Sequence, residues 1–139
     1  MSASGFTLEI ARRRAPRAPQ PLRTALVRLL RASLTKETAF FALPGEERAA
    51  ARPSNGFGEG AMAGAPDLVF IHGGRAFGLE LKERGCGLSD EERAAQVVLR
   101  GAGMRVEVAR DMTEALIRLR EMGIPLRQDA VSAFRGRAA

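Results

Sequence analysis

Two apolar runs separated by a glycine pair dominate the middle of the sequence, DLVFIHGGRAFGLELK at residues 67–82. Because glycine accepts the positive φ angles of a two-residue type I′ or II′ turn, this stretch predicts a β-hairpin with Gly73 and Gly74 at its turn. That turn places Phe70 opposite Phe77. One face of the hairpin is then expected to be apolar and to pack in a core. Its residues are Leu68, Phe70, Phe77, Leu79 and Leu81.

Charged residues stand at the open end of this hairpin. The same register places Asp67 opposite Glu80 on the second face, and Lys82 shares that face two residues further on. Adjacent carboxylates at the edge of a low-dielectric sheet repel each other unless a cation joins them, and Mg²⁺ prefers oxygen ligands. A lysine beside such an ion could position or deprotonate a metal-bound water. The alternative is a plain hairpin with solvated end charges, in which Lys82 pairs with Glu80 or Glu83.

The residues before the hairpin predict three segments. Residues 1–21 interleave arginines with prolines, which favours a flexible basic arm over helix or strand. Apolar residues at helical spacing over residues 22–34 predict an amphipathic helix. The TAFFAL stretch at residues 38–43 predicts a short strand, and residues 44–63, rich in glycine, alanine and charge, predict a long loop.

The residues after the hairpin predict two helices around one strand. Ser89, three residues before Glu92, indicates a capping box and a helix that ends near residues 101–103. The alternating MRVEVA stretch predicts a strand, and a second capped helix follows it. Residues 126–139 are expected to form a frayed basic tail. The domain should therefore span residues 22–125 as an α/β sandwich, with helices that flank a central mixed sheet.

The composition limits the class of protein. The 139 residues suit one domain, and no apolar run approaches the roughly 20 residues needed to cross a bilayer, so no membrane partner is expected. The single cysteine and the absence of an apolar leader indicate a cytoplasmic protein. The 22 Lys and Arg against 16 Asp and Glu favour a polyanionic partner, with nucleic acid first. A solvated basic surface from an arginine-rich genome would give the same composition.

The charged end of the hairpin resembles a known motif. Pro66-Asp67, a gap of twelve residues and then Glu80-Leu81-Lys82 are similar to the core of the PD-(D/E)xK nuclease superfamily. Gly-x-Leu-Ser, a helix and an alternating strand follow, so that residues 60–124 look like the VRR-nuclease family, which includes Holliday-junction resolvases. The resemblance implies a restriction-endonuclease-like fold and a Mg²⁺- or Mn²⁺-dependent endonuclease that cuts DNA, with branched DNA as its partner. Since resolvases make two symmetric cuts, it also implies a homodimer.

The resemblance further implies roles for individual residues. Asp67 and Glu80 would bind the metal, the backbone carbonyl of Leu81 would be a third ligand, and Lys82 would be the catalytic lysine. Cationic side chains elsewhere could track phosphates, although each of them could equally be a solvated charge in so basic a chain. These candidates for nucleic-acid binding are Arg12, Arg13, Arg14, Lys36, Arg75 and Arg84.

Two positions depart from the family pattern. The family usually has a glutamate in the first helix that completes the metal site, and the corresponding region here offers Gln20. It also usually has a glutamine early in the helix after Leu-Ser, where this chain has Glu92, which the capping box alone would explain. Gln96, one turn later, could contact phosphate or hold the nucleophilic water, or could be an ordinary polar helix residue. The departures leave an alternative function, a catalytically weakened nuclease-fold module that binds DNA.

Overall fold

A computed structural model describes residues 20–43 and 62–138. The helices are α1 (Gln20–Ser33), α2 (Asp90–Gly101), α3 (Met112–Glu121) and α4 (Gln128–Ala138), and the strands are β1 (Thr38–Ala42), β2 (Leu68–His72), β3 (Arg75–Leu81) and β4 (Arg105–Ala109). The strands form one sheet in the order β1-β2-β3-β4. The expected α/β architecture, a mixed sheet flanked by helices, is confirmed at this level.

The β2–β3 hairpin has the register that the glycine pair predicts. Phe70 lies opposite Phe77, and Gly73 and Gly74 have φ angles of 57° and 73°, in the left-handed region that favours glycine. β1 pairs antiparallel with β2, whereas β4 pairs parallel with β3. A parallel pair needs a long crossover connection, and α2 is the helix in that connection.

The apolar face of the hairpin forms the core together with α1 and α3. All five residues expected on this face are buried, namely Leu68, Phe70, Phe77, Leu79 and Leu81. Leu26 and Leu30 of α1 and Leu119 of α3 belong to the same cluster. Burial of this apolar surface is the main stabilising contribution, and it fixes one face of the hairpin against helices. The charged face of the hairpin, which carries Asp67, Glu80 and Lys82, is therefore turned to the other side of the sheet.

The α2 helix lies on that other side. Its residue Ala95 is buried, as is Val106 of β4, and neither belongs to the cluster under α1 and α3. Val106 pairs with Gly78 of β3, so both lie on the face that carries Glu80. The sheet is thus covered on both faces along its β3–β4 half.

Two glycines allow the residues before β2 to fit closely between the hairpin and α2. A Cβ atom at Gly78 would lie 2.8 Å from Cγ of Pro66, and one at Gly64 would lie 2.4 Å from the backbone of Glu91. Such distances exclude a side chain without a shift of the neighbouring backbone or ring. The close contacts place Asp67, the next residue after Pro66, beside the start of α2.

The predicted starts of α2 and α3 are confirmed, whereas α1 begins at Gln20, two residues before the predicted start at residue 22. Oγ of Ser89 accepts a hydrogen bond from the Glu92 amide at 3.1 Å, and the Glu92 side chain accepts one from the Ser89 amide at 3.1 Å. This is the capping box expected at the start of α2. At the start of α3, Oδ1 of Asp111 accepts a hydrogen bond from the Glu114 amide at 2.7 Å.

The C-terminal segment differs from the expected frayed tail, because most of it forms α4. This helix packs against α1, and its residue Val131 is buried. The Arg127 amide also donates to the carbonyl of Ser33 at 2.7 Å, which ties the start of the segment to the end of α1. Tertiary contact of this kind stabilises a helix whose own sequence carries only two large apolar residues, Val131 and Phe134.

The predicted N-terminal arm lies outside the described residues except for its last two positions, and so does most of the predicted loop at residues 44–63. Among the helices that the structure describes, none has the length and apolar character needed to cross a membrane.

Candidate active site at the open end of the hairpin

Asp67, Glu80 and Lys82 converge at the open end of the β2–β3 hairpin. Asp67 directly precedes β2, and its Oδ2 accepts a hydrogen bond from the Leu81 amide at 2.8 Å. Glu80 is the second-last residue of β3 and is 7% exposed. Lys82 directly follows β3 and is 9% exposed. The period-2 geometry of the strand places Glu80 and Lys82 on the face opposite the core. The structure thus brings together the three residues at the centre of the predicted site.

The surroundings of Glu80 disfavour a negative charge. Burial raises the pKa of Glu80 most, and the nearby Asp67 and Glu92 raise it further, from 4.5 to about 10. Glu80 therefore carries a proton at neutral pH when no cation is bound. A divalent cation between Asp67 and Glu80 would offset this repulsion, because an opposite charge favours the ionised form.

Lys82 pairs with Glu92 of α2, and not with Glu80 or Glu83. Its Nζ lies 2.6 Å from Oε1 of Glu92, the same oxygen that accepts the Ser89 amide. Burial raises the pKa of Glu92, but hydrogen bonds from Lys82 and Ser89 outweigh it, and the pKa lies below its usual value. The capping interpretation of Glu92 is therefore correct but incomplete, because this carboxylate is also the ion-pair partner of the candidate catalytic lysine.

Arg23 of α1 lies on the other side of the site. Its Nη1 donates to Oδ1 of Asp67 at 2.9 Å, and its Nη2 donates to the carbonyl of Leu43. The Arg23 and Asp67 side chains are 19% and 14% exposed. Where the family pattern has an acid in the first helix, this helix therefore contributes a cation to the site. Helical periodicity marks Arg23 only as a polar position, since a contact across 44 residues has no local signal.

Gln96 lies one turn after Glu92 on the buried face of α2, and it is 5% exposed. Within the described residues, neither Nε2 of Gln96 nor Oε2 of Glu92 has a hydrogen-bond partner. Buried polar atoms normally have one, so Nε2 of Gln96 is left to bind a ligand or water. The Glu92 side chain also lies within hydrogen-bonding reach of the protonated Glu80. The predicted polar role of Gln96 stays a prediction, but its placement on the site's side of the sheet agrees with it.

The candidate DNA-binding residues are spread over the molecule. Lys36 is exposed and lies two residues before Thr38, which pairs with His72 beside the hairpin turn. Arg75, at that turn, is also exposed. At about 3.3 Å per residue, the turn is roughly 20 Å from the charged end of β3. Arg84 is close to that end and forms an ion pair with Asp111. Arg12, Arg13 and Arg14 lie outside the described residues.

The oxygen atoms at the open end of the hairpin suit a hard divalent cation. Asp67 and Glu80 supply carboxylates, and the Leu81 carbonyl lies on the strand edge from which its amide reaches Asp67. In residues 20–43 and 62–138, no three His, Cys, Asp or Glu side chains are arranged as a metal-binding group. Mg²⁺ commonly takes only one or two protein carboxylates and keeps several waters, so two carboxylates and a carbonyl fit it.

Comparisons with known proteins do not assign this chain to a family. No protein-family model matches it, and neither does a curated protein or a solved structure. The resemblance to the VRR-nuclease family therefore depends on the motif residues themselves. The geometry of Asp67, Glu80 and Lys82 is a separate observation, drawn from the fold.

Proposed function

We propose that this protein is a metal-dependent DNA endonuclease with a restriction-endonuclease-like fold, similar to the VRR-nuclease family. The observation that carries the proposal is the convergence of Asp67, Glu80 and Lys82 at the open end of the hairpin. Burial and the nearby acids raise the pKa of Glu80 there to about 10. Carboxyl groups with strongly shifted pKa values cluster at functional sites, because catalysis and metal binding require such surroundings. The net charge of +6 supports a polyanionic substrate.

Each residue at the open end of the hairpin has a role in this proposal. Asp67, Glu80 and the Leu81 carbonyl would hold Mg²⁺ or Mn²⁺. The bound cation supplies an activated water and stabilises the charge that develops on the phosphate. Lys82 directs its ammonium group at the attacking water or at a phosphate oxygen, while Glu92 holds it in place through the 2.6 Å contact. Gln96 would donate its free amide to a phosphate or water on the α2 side.

The finer proposal is a Holliday-junction-resolvase-like enzyme that works as a homodimer. Its support is the resemblance of residues 60–124 to a family that includes such resolvases. Resolution needs two cuts related by symmetry, and a twofold dimer supplies two identical sites. Light scattering should therefore report twice the monomer mass of 14.9 kDa. A monomeric mass in the presence of a four-way junction would contradict the resolvase proposal but not the endonuclease proposal.

Cleavage of labelled DNA tests the endonuclease proposal. A four-way junction, a flap and a linear duplex are each incubated with the full chain, with and without Mg²⁺ or Mn²⁺. Metal-dependent cutting is expected, and Asp67→Asn and Lys82→Ala should each slow it at least about 100-fold. Arg120→Ala is the control, because it removes an exposed cation of α3 that is not among the candidate DNA-binding residues. Equal loss in Arg120→Ala and Lys82→Ala would contradict the assigned role of Lys82.

A DNA-binding module without catalysis is the second candidate function. The Arg23–Asp67 and Lys82–Glu92 ion pairs favour it, because they neutralise two of the site's acids with cations of the protein itself. In that case the wild-type chain should bind the same DNA substrates and cut none of them with either metal. Asp67→Asn should then leave DNA affinity intact. That combined result would replace the endonuclease proposal.

A further inference from the structure

Both carboxylate oxygens of Asp67 are occupied by donors of the protein. Oδ1 accepts a hydrogen bond from Nη1 of Arg23 at 2.9 Å, and Oδ2 accepts one from the Leu81 amide at 2.8 Å. The amide is a neutral backbone donor that fixes the orientation of the carboxylate. The guanidinium, in contrast, is a full positive charge on the carboxylate that would hold a metal ion. Asp67 therefore already has a counter-ion before any metal binds.

We infer that Arg23 competes with the divalent cation for Asp67 and, once displaced, binds a phosphate group of the DNA. The inference rests on the proposed function, since it requires a cation at Asp67 and a nucleic-acid substrate. A guanidinium and a metal ion that share one carboxylate repel each other, so the two cations favour exchange over joint occupancy. The planar fork of arginine donors fits carboxylate and phosphate equally well.

The position of Arg23 suits this exchange. Its second nitrogen, Nη2, donates to the carbonyl of Leu43, so the Arg23 side chain would keep one anchor at the site if its contact with Asp67 were lost. About a fifth of the side chain is exposed, which leaves donors for a ligand that arrives from solvent. The other cation of the site lacks this freedom, because Lys82 is held by Glu92, which is not among the assigned metal ligands.

The affinity for Mn²⁺ alone, measured by calorimetry, tests the competition without any need for DNA cleavage. Arg23→Gln should bind Mn²⁺ about tenfold more tightly than the wild type, because a hydrogen bond to a charged group no longer has to be broken. Arg28→Gln is the matched control, since it removes the same charge from an exposed position on the same helix. Equal or weaker Mn²⁺ binding in Arg23→Gln relative to Arg28→Gln overturns the inference.

The salt dependence of DNA binding tests the phosphate contact. Duplex affinity is measured over a series of salt concentrations in a Lys82→Ala background, where cutting is expected to be at least about 100-fold slower than in the wild type. Each phosphate contact contributes about 0.9 to the slope of log affinity against log salt. Arg23→Gln should lower this slope by about one contact when Mn²⁺ is present and leave it unchanged when Mn²⁺ is absent. A slope that is the same for Arg23→Gln and its background in both conditions overturns the phosphate assignment.

These measurements separate failure of the inference from failure of the proposed function. If the wild type cuts DNA and Arg23→Gln behaves like Arg28→Gln, only the role of Arg23 is wrong. If the wild type binds Mn²⁺ but cuts nothing, the endonuclease proposal fails and the Mn²⁺ affinities still decide the competition. Absence of Mn²⁺ binding by the wild type overturns both. Should Arg23→Gln not fold, Arg23→Lys decides, because it keeps the charge without the fork and should bind Mn²⁺ about threefold more tightly than the wild type.

Discussion

The two faces of the β2–β3 hairpin bury their side chains with opposite effects on stability. On the core face, Leu68, Phe70 and Leu79 are fully buried, and each such side chain contributes about 1.5–3 kcal/mol. On the other face, Glu80 and Lys82 are nearly as buried. Lys82 is paired with Glu92, but burial keeps Glu80 protonated, which lowers stability above pH 4.5. One face therefore holds the strands rigid, while the other holds titratable groups in a fixed geometry that lowers stability, as the proposed active site would require.

Truncation of the core face should have the largest effect on folding. Phe70→Ala is expected to lower the free energy of unfolding by about 3–5 kcal/mol, since it removes a fully buried ring that also stacks on Phe40. Urea denaturation measures this change. Phe41→Ala is the control, because Phe41 is 47% exposed on the neighbouring strand and should cost less than about 1 kcal/mol. Equal costs for the two variants would mean that the core does not lie on the predicted face.

Replacement of Glu80 by a group that does not titrate should have the opposite sign. Glu80→Gln is expected to raise the free energy of unfolding of the metal-free protein by about 3 kcal/mol at pH 7. The pKa of Glu80 rises from 4.5 to about 10 on folding, so the folded chain holds a proton that the unfolded chain releases. The stability that the wild type has with Glu80 protonated is therefore fully present below pH 4.5 and decreases as the pH rises towards 10. Glutamine does not titrate, and its advantage should therefore grow with pH.

A pH series of denaturation curves sharpens this prediction. The difference between Glu80→Gln and the wild type should be near zero at pH 4.5 and should increase by about 1.4 kcal/mol per pH unit above it. Glu83→Gln, at an exposed position three residues further on, is the control and should change the free energy of unfolding by less than about 0.5 kcal/mol. A constant difference between pH 5 and pH 8 would contradict the raised pKa. Added Mn²⁺ should stabilise the wild type and not Glu80→Gln.

The charged pair at the hairpin's open end follows from local rules. A glycine pair fixes the turn, the turn fixes the register, and the period of two in a strand then places Asp67 and Glu80 side by side. The same applies to the start of α2, where Ser89 and Glu92 are only three residues apart. These parts of the fold and the site could be predicted because every interaction involved is set by neighbouring residues or by one short turn.

The counter-ions of the site could not be predicted in this way. Arg23 reaches Asp67 across 44 residues, and Lys82 reaches Glu92 only because α2 packs over the charged face. Both contacts depend on how helices sit on the sheet, which residue spacing does not report. The α4 helix was missed for the same reason, since its contact with α1 decides its structure and its own sequence is weakly periodic.

A close backbone contact holds the charged face against α2, and substitution of Gly64 should break it. Gly64 and Gly74 have φ angles of 74° and 73°, so alanine meets the same backbone strain at both, about 1–2 kcal/mol. Only at Gly64 would the new Cβ also lie 2.4 Å from the Glu91 backbone, whereas nothing is within 4 Å at Gly74. Gly64→Ala should therefore cost about 1–3 kcal/mol more in thermal or urea unfolding. Equal costs would mean that the contact with α2 adjusts freely.

The smallest effect is expected at the cap of α2. Ser89→Ala removes the oxygen that accepts the Glu92 amide and should cost about 1 kcal/mol, whereas Ser89→Asp keeps a capping oxygen and should cost only a few tenths. Under the proposed endonuclease function, both variants should cut DNA at nearly the wild-type rate, because Oε1 of Glu92 stays bound to Lys82. A large loss of cutting in Ser89→Ala that Ser89→Asp restores, with both proteins folded, would show that the cap and not the ion pair positions Lys82. The position of Lys82 would then depend on the capped start of α2. The Glu92 carboxylate would matter to the lysine through its part in the cap and not through the ion pair.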